Sequence, residues 1–412
     1  MRKLIIITIF SAFTVMNAIE NMQITTEKNY TKDIYLNLSN KSIFEFDNNN
    51  WDIAFSLTPK GAAGASILIN EAYVELYSAP YDTTRWNNFD NSTLDSWERL
   101  YNPKQTWKDG AFNKYRGAIS GLDMGWGELM PELNYWTYGD SLYAIKLRNE
   151  SWIKFKINSL KQGVWEFSYS DIDNNNEKII SLDKADYTGK NFIYFSFSDS
   201  KIIDREPLSQ DWDLLFSKFM YFSDIAGKMN STSGVLSNKD LKIATVNGEI
   251  DKKHEINNES FSESISAISN SWKTFDMSAL VWSVDKEKVF IIKNKNDELF
   301  NLSFLQFGGR DNGEIEFQYK QINPSSVVEA TSVSLYPNPV TDYANLIIDN
   351  NSLGKVNIKI FDTNGNLRNI ESFIKTSNFD TTKLDFSNLT FGLYIIEIAY
   401  DNKIEYAKII KK

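Results

Sequence analysis

The sequence contains no cysteine and a single histidine, His254, in 412 residues. The first absence excludes disulfide frameworks, cysteine zinc sites, iron–sulfur clusters and thiol nucleophiles; the second excludes a metal centre built from several imidazoles. Positive charge is also scarce, with 44 Lys and Arg against 54 Asp and Glu and a net charge of −10. Residues 19–332 carry −12 and residues 333–412 carry none. Nucleic acids and anionic lipid surfaces are bound mainly through Lys and Arg neutralising phosphate, so an acidic body argues against both. Beyond the first residues, no apolar run approaches the length needed to span a bilayer.

Catalytic motifs are equally sparse. His254 lies in Asp251-Lys252-Lys253-His254-Glu255, a charged run with no nucleophile elbow beside it, so no Ser-His-Asp triad is expected. Gly61-Ala62-Ala63-Gly64-Ala65-Ser66 is Gly-rich but lacks the Lys and the spacing of a phosphate loop. Asp171, Asp173 and Asn175 match the first positions of a calcium loop, yet Asn176 stands where that loop needs Gly and Leu182 where it needs Glu. No catalytic or metal-binding residue is assigned. A glycoside hydrolase with paired carboxylates remains an alternative, because spacing along the chain does not fix the distance between two acids.

What the chain does have is aromatic and alternating. With 42% hydrophobic and 14% aromatic residues it can fill at least two cores. Met1 to Ala18 places Arg2 and Lys3 before an apolar stretch from Leu4 to Val15, the order of a secretory signal peptide. Trp51-Asp52-Ile53-Ala54-Phe55 reads as a strand with Trp51, Ile53 and Phe55 on one face, and Trp212-Asp213-Leu214-Leu215-Phe216 repeats it 161 residues later. Each copy is followed by a strand pair turning at glycine, at Gly163 and at Gly313.

These echoes predict an all-β chain with a duplicated domain: residues 19–170, a polar linker over 171–185, and residues 186–322. A second linker, 323–332, leads to a small β-sandwich of seven or eight strands at 333–412. Eight of the 11 Trp fall in the first domain, five of them in a Gly-rich stretch without helical or strand period, which reads as long loops with aromatic anchors.

Ser334-Leu335-Tyr336-Pro337-Asn338-Pro339-Val340, then Ile358 to Leu367 with its Asp362-Thr363-Asn364-Gly365 turn, then Phe391 to Lys403 and a terminal Lys-Ile-Ile-Lys-Lys closely resemble the type A C-terminal sorting domain of Bacteroidota type IX secretion cargo. The resemblance implies export to the periplasm, passage across the outer membrane by the type IX machinery, and a final location on the cell surface or outside the cell. The two Trp-Asp strands, Gly234 to Asn238, Ser271 to Met277 and the closing hairpins resemble HmuY-like proteins of the same bacteria.

That second resemblance implies a non-enzymatic ligand-binding protein, with haem or another porphyrin as ligand. The founding member holds iron through two histidines, and some relatives use methionine. One histidine cannot form a pair, so the implied ligands here are Met124, Met130 and Met277, or a mixed set with His254. A glycan is the alternative ligand, stacked on the aromatics Trp126 and Trp136. Methionines in such loops also serve as gap fillers, and loop tryptophans as local cores.

Overall fold

A computed structural model describes residues 18–58, 62–223, 226–252, 254, 260–322, 333–349, 353–377, 379–400 and 403–412. The signal peptide, apart from Ala18, and the linker at 323–332 lie outside the described residues. The chain is all-β: its strands form antiparallel sheets, and the helical segments among the described residues are 3-10 turns of three to six residues. Among those residues no helix is long and apolar enough to cross a membrane. The described residues from 18 to 252 and from 261 to 322 form one compact unit, and the tail from 333 forms another.

The larger unit has two cores. In the first, the strands Ile53–Ser56 and Phe192–Ser196 pair and pack on a sheet that runs from Lys178–Asp183 through Val164–Asp171, Trp152–Lys161 and Ser141–Lys146 to Glu75–Asp82. Phe55 stacks on Phe167 with ring centroids 4.9 Å apart, and Trp165 fills the space beside both Phe55 and Trp126. In the second, Leu214–Ser223 lies between Lys32–Leu36 and Lys228–Ser237, over a sheet ordered Glu20–Thr25, Glu314–Ile322, Leu299–Phe307, Lys288–Lys293, Lys242–Asn247. Trp272 stacks on Phe304 at 4.0 Å and Phe216 on Phe317 at 5.5 Å.

The two Trp-Asp strands make matching hydrogen bonds. Asp52 accepts from the Phe197 amide at 2.7 Å, and Asp213 accepts from the Leu38 amide at 2.8 Å. The Asn70 amide group donates to the carbonyls of Asn48 and Trp51, and that of Asn238 to Ser209 and Trp212. Each Asp thus ties a strand end and each Asn a turn at matching places, as buried polar groups require.

The boundaries differ from the expected ones. The opening strands of each repeat belong to the other repeat's core: Lys32–Leu36 pairs with Leu214–Ser223, and Phe192–Ser196 pairs with Ile53–Ser56. The first core is therefore built from a continuous run, 53–203, inserted into a second core assembled from 20–47 and 214–322. The stretch 171–185, expected as a solvated linker, is a tight turn, in which Asn174 donates to the Asp171 carbonyl at 3.0 Å, followed by the edge strand Lys178–Asp183. Its alternation explains this: Ile180 and Leu182 point inward, and burying Leu182 alone is worth about 2 kcal/mol, which outweighs the polarity of its neighbours.

A buried ion pair sits where the two cores adjoin. Arg205 reaches Asp33 at 2.8 Å and the Asp47 carbonyl at 3.0 Å, while its guanidinium lies within 6 Å of the rings of Phe46, Trp51 and Tyr194. Next to it, Glu206 accepts from the amides of Asn191 and Phe192 and from the Tyr194 hydroxyl. Complete burial pushes its carboxyl up to about 7, against the pull of those hydrogen bonds.

The tail is a sandwich of seven described strands. One sheet contains Val333–Tyr336, Tyr343–Asp349 and Phe379–Asp385; the other is ordered Leu367–Lys375, Gly354–Asp362, Gly392–Tyr400, Lys403–Lys411. Asn338, between its two prolines, donates to the Lys408 carbonyl and accepts from the Ile410 amide, both at 2.9 Å, so the motif clasps the last strand and seats Val340 in the core. In the Asp-Thr-Asn-Gly turn, hydrogen bonds from the Asn366 and Asn364 amides, with Arg368 beside them, hold the Asp362 carboxyl down at about 2.

Candidate functional site

The structure separates the residues singled out from sequence. Trp126 is wholly buried; its indole N–H donates to the Ala65 carbonyl at 2.9 Å and its ring packs on Trp165. The expectation that Trp126 stacks on a ligand is corrected, because no face of the ring reaches solvent. Met124 is buried in the same core, with its sulfur accepting from Arg116 at 3.4 Å. Met277 is 75% exposed at the turn between Lys273–Asp276 and Val281–Val284, which Asp276 caps by accepting from the amides of Ser278 and Ala279. His254 is half-buried, with its neighbours at 253 and 255–259 outside the described residues. These surroundings do not turn two methionine sulfurs toward a common space.

Most of the other first-core tryptophans also pack rather than line a cleft. Trp86 and Trp97 are buried, and Trp107 donates across to the Ser237 carbonyl at 2.8 Å, joining the two cores.

Met130 and Trp136 remain, and they face outward together. The strand Gly127–Met130 pairs with Trp136–Gly139, which in turn pairs with Trp152–Lys161. Alternation sends Leu129 and Thr137 inward and leaves Glu128, Met130, Trp136 and Tyr138 on the outer face. Two glycines let the hairpin backbone approach its neighbours closely. A Cβ on Gly139 would fall 1.8 Å from the Ile157 carbonyl oxygen, and one on Gly127 would fall 2.1 Å from that of Tyr138.

The outer face continues along the long strand Trp152–Lys161. The Lys161 ammonium lies 4.5 Å from the Tyr138 ring centre and 5.8 Å from that of Trp136. Beside it, Asn158 donates to Ser168 at 2.8 Å and to Glu166 at 3.3 Å. Farther along, Lys156 sits 4.8 Å from the Trp86 ring, and buried Lys154 donates to the Trp86 carbonyl and to Asn174. Burial holds the Lys154 amine below its ordinary pKa. Tyr135 and Leu133 extend the hairpin end as exposed apolar side chains.

Half-exposed Trp and Tyr rings side by side on one sheet face, bordered by amide, hydroxyl, carboxylate and ammonium groups, suit a ligand with one apolar face and polar edges. The signal in sequence was Trp136-Thr137-Tyr138, two aromatics spaced at the strand period, of which only Trp136 was singled out.

Two other buried amines escaped the sequence reading. Lys273 donates to the Ser233 carbonyl at 2.6 Å inside a box formed by Phe307, Trp272 and Trp282, and burial pushes its pKa well down. Lys184 donates to the carbonyls of Thr58 and Gly64, with its pKa lowered by burial to about 8. Both satisfy backbone carbonyls within the fold.

Residues 334–412 match the family described as Secretion system C-terminal sorting domain. No curated protein matches the chain. Among solved structures, apo PinO from Porphyromonas gingivitis is similar at 7% identity and a TM-score of 0.23, covering 74% of this chain and 98% of that one. Dimeric latent PorU from Porphyromonas gingivalis is similar at 9% identity and a TM-score of 0.18, covering 66% of this chain and 31% of that one.

Proposed function

Because residues 334–412 are a type IX secretion sorting domain, which marks the chain as cargo for the cell surface or the medium, we propose that the passenger is a non-catalytic glycan-binding protein. The observation that carries this reading is the outward pair Trp136 and Tyr138, with Lys161, Asn158 and Glu166 beside them on one sheet face. A sugar ring has C–H groups on its faces and hydroxyls at its rim. Aromatic rings take the first and short polar side chains the second. The porphyrin reading has weaker support, since Met124 is enclosed in the core and Met277 is free in solvent on the other half of the passenger.

The test is a glycan array probed with the full chain, followed by titration of the best ligand. Trp136→Ala and Tyr138→Ala should each weaken binding about tenfold or more, as for a central aromatic anchor. Prolonged incubation should release no shorter sugar. Binding that survives both substitutions would move the site elsewhere, and an array without signal would end the reading.

A further inference from the structure

The tail's four-stranded sheet turns an apolar outer face to solvent. Inward residues of that sheet, including Ile358, Ile360, Ile396 and Ile398, fill the tail core. Alternation leaves an outer face on which Asn357, Lys359 and Glu397 of the middle strands sit among Phe361, Leu393, Ile395 and Ala399, with further apolar side chains on the edge strands. In the middle, Lys359 pairs with Glu397 at 2.8 Å. On the edges, Ile370 and Ile374 on one side and Ile404 and Tyr406 on the other are each more than half exposed. With strands about 4.8 Å apart, apolar side chains from all four strands share one face, interrupted by a few polar groups.

Isoleucine on the solvent side of edge strands is costly, since edges are usually protected by charge or proline. The outer face of the other sheet mixes Asn345, Asp349, Thr381 and Lys383 with Tyr343, Ile347 and Phe379, so the more continuous aliphatic character lies on the four-stranded side. The tail also carries no net charge. A partner therefore has apolar area to grip and little net charge to steer by.

We propose that this face, with Ile370, Ile374, Ile404 and Tyr406 exposed along its edges, is the surface through which the secretion system reads the tail. The occupant is a protein of that system with a complementary apolar surface, because conveying the cargo to it is the work of a sorting domain. The proposal does not depend on what the passenger binds.

The test uses the full chain produced in a host with an active type IX system. The triple variant Ile370→Thr, Ile374→Thr, Ile404→Thr keeps β-branched side chains suited to strands while removing apolar contact. Its extracellular amount should fall about tenfold or more, as for losing an interface's central anchors, with protease-resistant protein retained behind the outer membrane. The pair Asn345→Ala and Thr381→Ala, on the opposite sheet, should leave export unchanged. In case the triple variant loosens the tail, a photoreactive phenylalanine placed singly at Tyr406 should crosslink to a secretion-system protein, and the same group at Tyr343 should not. Wild-type export of the folded triple variant would overturn the proposal. So would crosslinks from position 343 alone, or crosslinks from position 406 confined to the chain itself or a second copy.

Discussion

The two cores of the passenger use the same strands in the same order yet close differently. The first is one continuous run, in which Lys178–Asp183 and Phe192–Ser196 fold back onto strands that precede them. The second cannot close that way, because its matching strands, Glu20–Thr25 and Lys32–Leu36, were made first and wait for partners at 314–322 and 214–223. Equal architecture thus comes with unequal independence: the first core is complete once residue 203 exists, and the second needs both ends of the passenger. Loop-closure entropy is larger for the second, though it grows only with the logarithm of the separation.

The largest expected effect comes from removing residues 20–47. The second core should lose its edge strands and open, leaving residues 53–203 as the protease-resistant fragment seen by mass spectrometry. If the second core instead stayed protected, the asymmetry would be wrong.

Next in size is Arg205→Ala. It strands the buried Asp33 carboxylate at the junction, a change that costs about 3–5 kcal/mol. Because Asp33 serves the second core and Trp51 and Tyr194 the first, both cores should melt earlier in denaturant. A shift confined to one core would show that the junction does not couple them.

The smallest effect is a pH dependence. Glu206 is raised to about 7 in the fold from 4.5, so the folded state holds its proton more tightly than the unfolded chain. Its contribution to stability is full below about pH 4.5 and is lost as pH rises through about 7, on the order of 3 kcal/mol in all. Unfolding free energy should fall across that window, and Glu206→Gln should flatten it. An unchanged slope in the variant would assign the effect to another group.

Features encoded by neighbours along the chain were legible in sequence. The Trp-Asp strands, the hairpins at Gly163 and Gly313, and the Asp362 turn each depend on alternation or turn chemistry within ten residues. The partner exchange was not, because Ile34 meets Phe216 across 182 residues and no local pattern specifies which copy a strand joins. A clue was present in the Ile34-Tyr35 and Ile193-Tyr194 dipeptides, each following a Tyr-Thr pair at 30–31 and 187–188. Of the site, Trp136 was found and Tyr138 missed. Trp126 was misjudged because a glycine-rich stretch without period does not reveal which side of a ring is covered.

The pairing of Glu20 opposite Tyr319 has a practical corollary. The passenger's first and last strands end as neighbours, so a permuted gene could start at the Trp51 strand, run to residue 322 and then rejoin residues 20–47 through a short bridge. Such a rearranged chain would need no new contact to fold, and its tail could be grafted at a different point of the molecule, which would separate the passenger's shape from its postal address.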